Sequence, residues 1–258
     1  MTGKPFVVSA DGHLLEPTDL FITRLPKHLR DRAVWEEDFE IEPLVEGGAR
    51  IFRRLHTPGF EGWTISRYRQ TGGRMPEGDP DQILEDMDLD GVDVQVMHPN
   101  LSLFGLYSDD HELSMAHARV YTDYVIERFT PYFSRLAPTA PIPLTDIDDA
   151  VVQIERVAAA GFRAVTLPST APIPYYRKEL DPVWAALEES GLALAFHPAG
   201  HQDVMGAARG LSACMAPGTH HANILMIDDY VTLSNLVYGG VLERHPYLRV
   251  AILESGGG

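Results

Sequence analysis

The amino-acid sequence predicts an α/β fold: an incomplete TIM-type (β/α) barrel with about six of the usual eight βα units. First, short apolar segments alternate with helices of roughly 10 to 20 residues, which is typical of parallel βαβ units. Second, side chains that bind metals recur directly after these segments, where the active sites of such barrels lie. Third, the turn Ala10–Leu15 lacks the Gly-x-Gly-x-x-Gly pattern of a doubly wound dinucleotide-binding sheet. The barrel is therefore favoured over the doubly wound sheet.

The first strand is predicted at about residues 5–11 and is followed by a long polar section. Prolines and glycine pairs interrupt this section, and its apolar residues are too sparse for a core of their own. Short strand-like pieces at 40–42 and 50–52 indicate a small hairpin. We interpret residues 14–80 as a lid-like insertion that covers the barrel, so that residues 1–258 form one domain.

From residue 81 onward, the spacing of apolar residues predicts five helices, each followed by a strand. The predicted helices span about 81–90, 111–129, 146–160, 182–190 and 222–242. The strands that follow them span about 92–97, 136–141, 162–167, 192–196 and 248–253. Gly91 and Gly191 are predicted to end their helices. With the first strand this makes six, so strands seven and eight of a complete barrel are expected to be missing.

Composition and charge exclude several classes of protein. The apolar fraction of 45% and the charged fraction of 22% are ordinary for a globular protein. No apolar run approaches the roughly 18 residues that a membrane span needs. The net charge of −16 argues against nucleic acid and anionic membranes as partners and leaves a small-molecule substrate. The single cysteine, Cys214, excludes an internal disulfide and favours a cytoplasmic protein.

Three side chains at predicted strand ends have the chemistry of metal ligands. Asp11 and His13 are two residues apart, so on an extended strand they point to the same face. His197 ends the apolar strand 192–196. The structural alternatives are a capping aspartate, a surface histidine and a core histidine bonded to the backbone. We expect Asp11 and His13 to hold a divalent metal ion and His197 to be functional.

Other polar residues at strand ends are further candidates. His98 follows the second strand, and Glu254 and Ser255 precede three glycines that let the backbone approach a ligand closely. We predict these three as catalytic residues, with plain structural roles as the alternative. Residues for which capping, loop or supporting roles are expected are Glu16, His201, His220 and His221. The remaining histidines, His117 among them, fall in solvated or helical segments and are predicted to be structural.

Together these motifs resemble the amidohydrolase-related family of metal-dependent barrels, which includes aminocarboxymuconate semialdehyde decarboxylase and the resorcylate decarboxylases. The resemblance runs from about residue 5 to the last residue. Its landmarks are Ser9–His13 with Glu16–Pro17, Met87–Asp93, Gly161–Val165, Phe196–Pro198 and Glu254–Gly258.

The resemblance implies a single divalent ion, usually zinc, held by two residues of strand one, a histidine of strand five and an aspartate of strand eight. The first three correspond to Asp11, His13 and His197, and the aspartate is expected beyond Gly258. The family more often has His-x-His or Glu-x-His on strand one, but an aspartate oxygen suits zinc and also manganese. Ser255 stands where the family has a histidine, so the decarboxylase mechanism is less directly implied.

Three functions follow as alternatives. The first is a metal-dependent hydrolase of a small organic acid, ester, amide or lactone, in which the metal activates a water and Glu254 assists a general base. The second is a non-oxidative decarboxylase of an aromatic or enoic acid. The third is an inactive fragment or binding module. A homodimer is compatible with the long covering segment and the open strand edges.

Overall fold

The computed structural model describes residues 4–40, 51–56, 64–65, 78–106, 108–169, 171, 173–198 and 217–255. The predictions made for His201, Cys214 and residues 256–258 lie outside these ranges. So do the side chains of His220 and His221, although both residues belong to a helix.

The strands that form the barrel follow one another in the order of the chain. They are β1 (Val8–Leu14), β5 (Val94–Pro99), β6 (Leu136–Pro138), β7 (Ala140–Pro141), β8 (Ala164–Pro168), β9 (Ala193–His197) and β10 (Arg249–Ile252). The insertion carries β2 (Trp35–Glu40), β3 (Ile51–His56) and β4 (Thr64–Ile65). β1, β5 and β6 form one parallel sheet, and β7 to β10 form another. Only Thr139 separates β6 from β7, and its N–H donates to the Met97 carbonyl at 2.9 Å. The two sheets are therefore one arc of six strand positions, as predicted for the incomplete barrel.

Helices connect these strands. They are α1 (Leu20–Arg24), α2 (Pro80–Asp90), α3 (Leu101–Gly105), α4 (His111–Phe129), α5 (Ile147–Ala159), α6 (Asp181–Ser190), α7 (Pro217–Tyr238) and α8 (Val241–Arg244). The carboxylates of Asp79, Asp110 and Asp146 accept backbone N–H groups in the first turns of α2, α4 and α5. Gly91 and Gly191 end α2 and α6 in the left-handed conformation, which confirms both predicted caps.

The last predicted helix is wrong in extent. Instead of one helix over 222–242, α7 begins at Pro217 and ends at Tyr238, and α8 starts at Val241. The break lies at Gly240, whose φ of 71° is left-handed and cannot continue a helix. The sequence analysis also missed α3, because a five-residue helix carries too few apolar positions to show a period.

The described part of the insertion packs on the barrel. β2, β3 and β4 form an antiparallel sheet. A hairpin was predicted from pieces at 40–42 and 50–52; the observed pair lies at Trp35–Glu40 and Ile51–His56, and residues 41, 42 and 50 are outside the described ranges. Leu20, Phe21 and Leu55 of the insertion belong to the same buried cluster as Leu136 of β6 and Trp184 of α6. The described part of the insertion thus shares its buried core with the barrel.

Among the described residues, none of the helices is both long and apolar enough to cross a membrane.

His117 of α4 is a buried histidine with a structural role. Its Nδ1 lies 2.9 Å from the Leu113 carbonyl, and its Nε2 lies 3.2 Å from the backbone nitrogen of Val34. A neutral ring with its proton on Nδ1 therefore donates to the carbonyl and accepts from the N–H. Burial lowers the pKa of His117 to about 4. The ring ties the insertion to α4 only while it is uncharged.

This burial predicts a loss of stability at acid pH. The unfolded chain takes up the His117 proton near pH 6.5 and the folded chain only near pH 4, so stability falls as pH falls through that window. The loss is about 3 kcal/mol. Urea unfolding of the wild type and of His117→Gln from pH 8 to pH 4 measures it, because glutamine does not titrate. Identical pH dependence in the two proteins would contradict the prediction.

Candidate metal centre

β1 carries a β-bulge at the residues that lead into the centre. The register of β1 against β5 shifts between Ser9 and Gly12. Ala10 and Asp11 therefore stand together opposite one residue of β5, Val96. A bulge of this kind re-aims a side chain, and here it contains one of the predicted ligands.

Asp11, His13 and His197 come together where β1 and β9 end. One possible ligand atom of each residue lies within 4.8 Å of the others. The two histidine Nε2 atoms are 3.2 Å apart, and Asp11 Oδ1 lies 4.0 Å from His197 Nε2. His197 is buried, His13 is half-buried and Asp11 is exposed, so the cluster opens to solvent on one side. The structure thus brings together the three residues that the sequence analysis singled out as ligands.

The hydrogen bonds of the two imidazoles decide which nitrogen faces the cluster. His13 Nδ1 lies 3.3 Å from the Pro99 carbonyl oxygen, and His197 Nδ1 lies 2.8 Å from that of Pro198. Because a carbonyl oxygen only accepts, each Nδ1 carries the proton and each Nε2 of the neutral ring presents a lone pair. Two lone pairs 3.2 Å apart repel each other unless a proton or a cation lies between them.

The donor set fits a divalent metal ion. Two ligands about 2.05 Å from a tetrahedral ion are about 3.3 Å apart. The separation of 3.2 Å between the Nε2 atoms of His13 and His197 matches that value. Asp11 adds a carboxylate oxygen, and two imidazoles with one carboxylate are typical of catalytic zinc sites that keep a position for water or substrate. The arrangement can therefore hold an ion and leave it accessible to a substrate.

Glu254, predicted as catalytic, follows β10 at the edge of this cluster. Its Oε1 lies 4.0 Å from His197 Nε2. Partial desolvation of its carboxylate, together with the charges of Asp11 and Asp229, raises the pKa of Glu254 to about 7, although the residue as a whole is exposed. Its φ of 54° makes it the only non-glycine in the described part of the chain with a left-handed backbone. Strain of this kind collects at functional sites.

Ser255 and Asp229 complete the surroundings of Glu254. Ser255 is the next residue and is half-buried. Asp229 of α7 is buried, and its carboxylate accepts a hydrogen bond of 3.1 Å from the hydroxyl of Ser169, which directly follows β8. Asp229 was not predicted from the sequence, because an aspartate within a helix ordinarily faces solvent. Only its approach to Glu254 in the folded chain makes it part of the site.

His98, the third predicted catalytic residue, lies beside the cluster. Its ring centroid is 6.4 Å from that of His13 and 5.6 Å from that of His197. Its Nε2 lies 3.2 Å from the Ala10 carbonyl oxygen, and its Nδ1 lies 3.2 Å from Thr139 Oγ1. Burial lowers the pKa of His98. Its ring nitrogens are thus engaged with the barrel interior, and its catalytic role stays a prediction.

Glu16 fastens the end of β1 to the start of α3. Its buried carboxylate accepts hydrogen bonds of 2.9 to 3.2 Å from the backbone N–H groups of Asn100, Leu101 and Ser102 and from the Ser102 hydroxyl. Burial raises the pKa of Glu16, and these hydrogen bonds oppose the rise. The carboxylate satisfies N–H groups that a helix start leaves without partners. Glu16 therefore supports the rim without joining the cluster.

A family model described as Amidohydrolase matches residues 11–258. The chain belongs to the amidohydrolase family. This membership confirms the family resemblance, the barrel class of the fold and the prediction of a metal-dependent enzyme. No curated protein matches the chain significantly.

Solved structures of other proteins share the fold. An amidohydrolase of Mycobacterium avium subsp. paratuberculosis K-10 has a TM-score of 0.74 at 20% identity. The match covers 99% of this chain and 74% of that protein's chain. The 5-carboxyvanillate decarboxylase of Sphingomonas paucimobilis has a TM-score of 0.62 at 20% identity, covering 96% and 67%. A dihydroxybenzoic acid decarboxylase of Polaromonas sp. JS666, with bound manganese and the inhibitor 2-nitroresorcinol, has a TM-score of 0.58 at 15% identity, covering 96% and 65%.

The backbone of Glu254 yields a stability prediction. Glu254→Gly is expected to leave the free energy of unfolding unchanged or to raise it by up to about 1 kcal/mol, because glycine adopts the left-handed conformation freely. The matched control is Glu155→Gly on the exposed face of α5, which is expected to lose about 1 kcal/mol. Urea denaturation measures both changes. An equal loss in the two variants would show that Glu254 carries no backbone strain.

Proposed function

We propose that the chain is a metal-dependent hydrolase that acts on a small ester, amide or lactone. The observation that carries the proposal is the cluster of His13 Nε2 and His197 Nε2, 3.2 Å apart, beside the Asp11 carboxylate. A further carboxylate, that of Glu254, lies 4.0 Å from His197. This arrangement supplies an ion site and a separate acid–base group on one rim.

The proposed ion is a single divalent metal held by Asp11, His13 and His197. Zinc is the first choice because two imidazoles with a carboxylate suit it, and manganese is the alternative because it also takes carboxylate ligands. Manganese is bound in the Polaromonas decarboxylase, which shares the fold. Such an ion, when bound, lowers the pKa of a coordinated water and polarises a carbonyl group.

Glu254 is proposed as the general base and acid. Its carboxylate takes a proton from the attacking water and returns it to the departing oxygen or nitrogen of the substrate. The adjacent Ser255 hydroxyl is proposed to hydrogen-bond a substrate oxygen. In this scheme the strained backbone at Glu254 keeps its carboxylate on the side of His197.

The charge of the rim favours a neutral substrate. Asp11 belongs to the cluster and Glu254 lies at its edge. Partial desolvation and the charges of Asp11 and Asp229 raise the pKa of Glu254. When all three are ionised, their charge outweighs that of a divalent ion. A substrate carboxylate would be repelled there, whereas an ester, amide or lactone would not.

A second candidate is the non-oxidative decarboxylation of an aromatic or enoic acid. Proteins named as decarboxylases share the fold, among them those of Sphingomonas and Polaromonas. We rank this reaction second because its substrate brings a carboxylate to an acidic rim. A binding module, the third alternative, would hold the metal without turnover. The homodimer and the cytoplasmic location stay predictions.

The ion site predicts the metal content of the purified protein. The wild type is expected to bind one equivalent of zinc or manganese. His13→Ala and His197→Ala are expected to weaken that affinity by more than about 100-fold, since losing even an outer partner of a ligand costs 10–100-fold. Equilibrium dialysis with elemental analysis measures both values.

His111→Ala is the matched control, because His111 is an exposed histidine that pairs with Asp149 at 2.9 Å. It is expected to bind metal like the wild type. Full metal content in the double variant Asp11→Ala, His13→Ala would overturn the ion site.

The role of Glu254 predicts a loss of turnover with the metal retained. Glu254→Gln is expected to lower kcat for hydrolysis by about 10²- to 10⁴-fold, because the amide does not accept the proton. The assay uses metal-loaded protein with a panel of p-nitrophenyl esters, lactones and anilides. Glu155→Gln, on the exposed face of α5, is the control and is expected to keep the wild-type kcat.

The same preparations are given dihydroxybenzoic acids, and released carbon dioxide is measured. Carbon dioxide release without hydrolysis would replace the proposed reaction by decarboxylation. A metal-loaded wild type that does neither would favour the binding module.

A further inference from the structure

We propose that His98 is a positioning residue that sets the direction of the Asp11 carboxylate by holding the bulged backbone of β1. The inference deepens the proposed function and rests on it, because that proposal makes Asp11 a ligand of the ion.

The backbone contact lies at the bulge itself. Ala10 and Asp11 share the bulge opposite Val96, where the regular ladder of β1 with β5 is interrupted. The Ala10 carbonyl oxygen there accepts a hydrogen bond of 3.2 Å from His98 Nε2. This carbonyl and the Asp11 nitrogen belong to one planar peptide unit. Fixing the carbonyl therefore restricts the orientation of the Asp11 backbone and of the side chain it carries.

The ring of His98 is held from its other edge. Nδ1 lies 3.2 Å from Thr139 Oγ1 and 3.3 Å from Thr166 Oγ1, and the two hydroxyl oxygens are 2.5 Å apart. Because the Ala10 carbonyl only accepts, the proton is on Nε2, and Nδ1 accepts from a threonine hydroxyl. This chain of hydrogen bonds links β5, the junction of β6 with β7, and β8 to the bulge.

The side chains of this network are shielded from solvent. His98 is 1% exposed, and Thr139 and Thr166 are fully buried. Removing one of these hydrogen bonds therefore costs free energy, because water does not readily reach the remaining polar atom. His13, the register partner of His98 on β1, lies on the same face of the sheet. One imidazole thus lies beside the ion site and holds the strand that carries two of the three proposed ligands.

The test compares the metal affinities of variants at His98 and Thr166. His98→Phe keeps an aromatic ring, a somewhat larger one, and removes the donor to Ala10, and it is expected to weaken zinc and manganese binding by about 10–100-fold. His98→Gln places an amide N–H near the former Nε2, and it is expected to restore most of that affinity. Thr166→Val removes a hydroxyl partner of Nδ1 and is expected to weaken binding by a smaller factor. His111→Phe, at an exposed histidine, is the control.

A second readout separates positioning from general packing. The visible absorption of the cobalt-loaded protein reports the ligands of the ion, and its band positions are expected to shift in His98→Phe and to return in His98→Gln. Wild-type affinity and spectrum in folded His98→Phe would overturn the inference and leave the proposed function intact. If His98→Phe does not fold, unchanged metal affinity in Thr166→Val together with strongly weakened affinity in folded His98→Gln would overturn it. A wild type that binds no metal would overturn the proposed function, and this inference with it.

Discussion

The contact on which the whole site depends is the approach of two imidazole nitrogens, His13 Nε2 and His197 Nε2, at 3.2 Å. Each ring is oriented by a hydrogen bond from its Nδ1–H to a backbone carbonyl, that of Pro99 for His13 and that of Pro198 for His197. Both Nε2 atoms therefore face the cluster, where a proton or a cation can lie between them. A metal that binds these nitrogens only in the folded chain would stabilise the fold, so stability and metal affinity would be linked.

The surrounding residues keep this contact in place. Parallel strands bring their carboxyl ends to one edge, which is why residues from β1 and β9, 184 positions apart in the chain, meet there. Glu16 fastens β1 to the start of α3, and the hydrogen bonds of His98 hold the bulge that carries Asp11. Rigid elements thus orient the proposed ligands, which is how sites acquire a defined geometry.

The grouping of Asp11, His13 and His197 was predictable from the sequence, because each lies at or just after the predicted end of an apolar strand. The order of the strands was predictable for the same reason, since helices and strands alternate. The first strand itself was predicted at about 5–11, whereas β1 runs from Val8 to Leu14. The bulge at Ala10 was not predictable, because it depends on how β1 pairs with β5. The residue pattern of β1 alone does not define that register. The threonine partners of His98 lie 41 and 68 residues away, so only the folded chain reveals them. The extent of α7 was misjudged because apolar spacing continues past a glycine that ends the helix.

The most direct measurement of the central claim is a crystal structure of the protein grown with zinc or manganese, with anomalous scattering recorded at the metal edge. We expect one strong anomalous peak about 2.0–2.2 Å from the Nε2 atoms of His13 and His197 and from a carboxylate oxygen of Asp11. Each Nδ1 should still bond to its backbone carbonyl. A peak at other residues, or none at this cluster in saturating metal, would contradict the assignment.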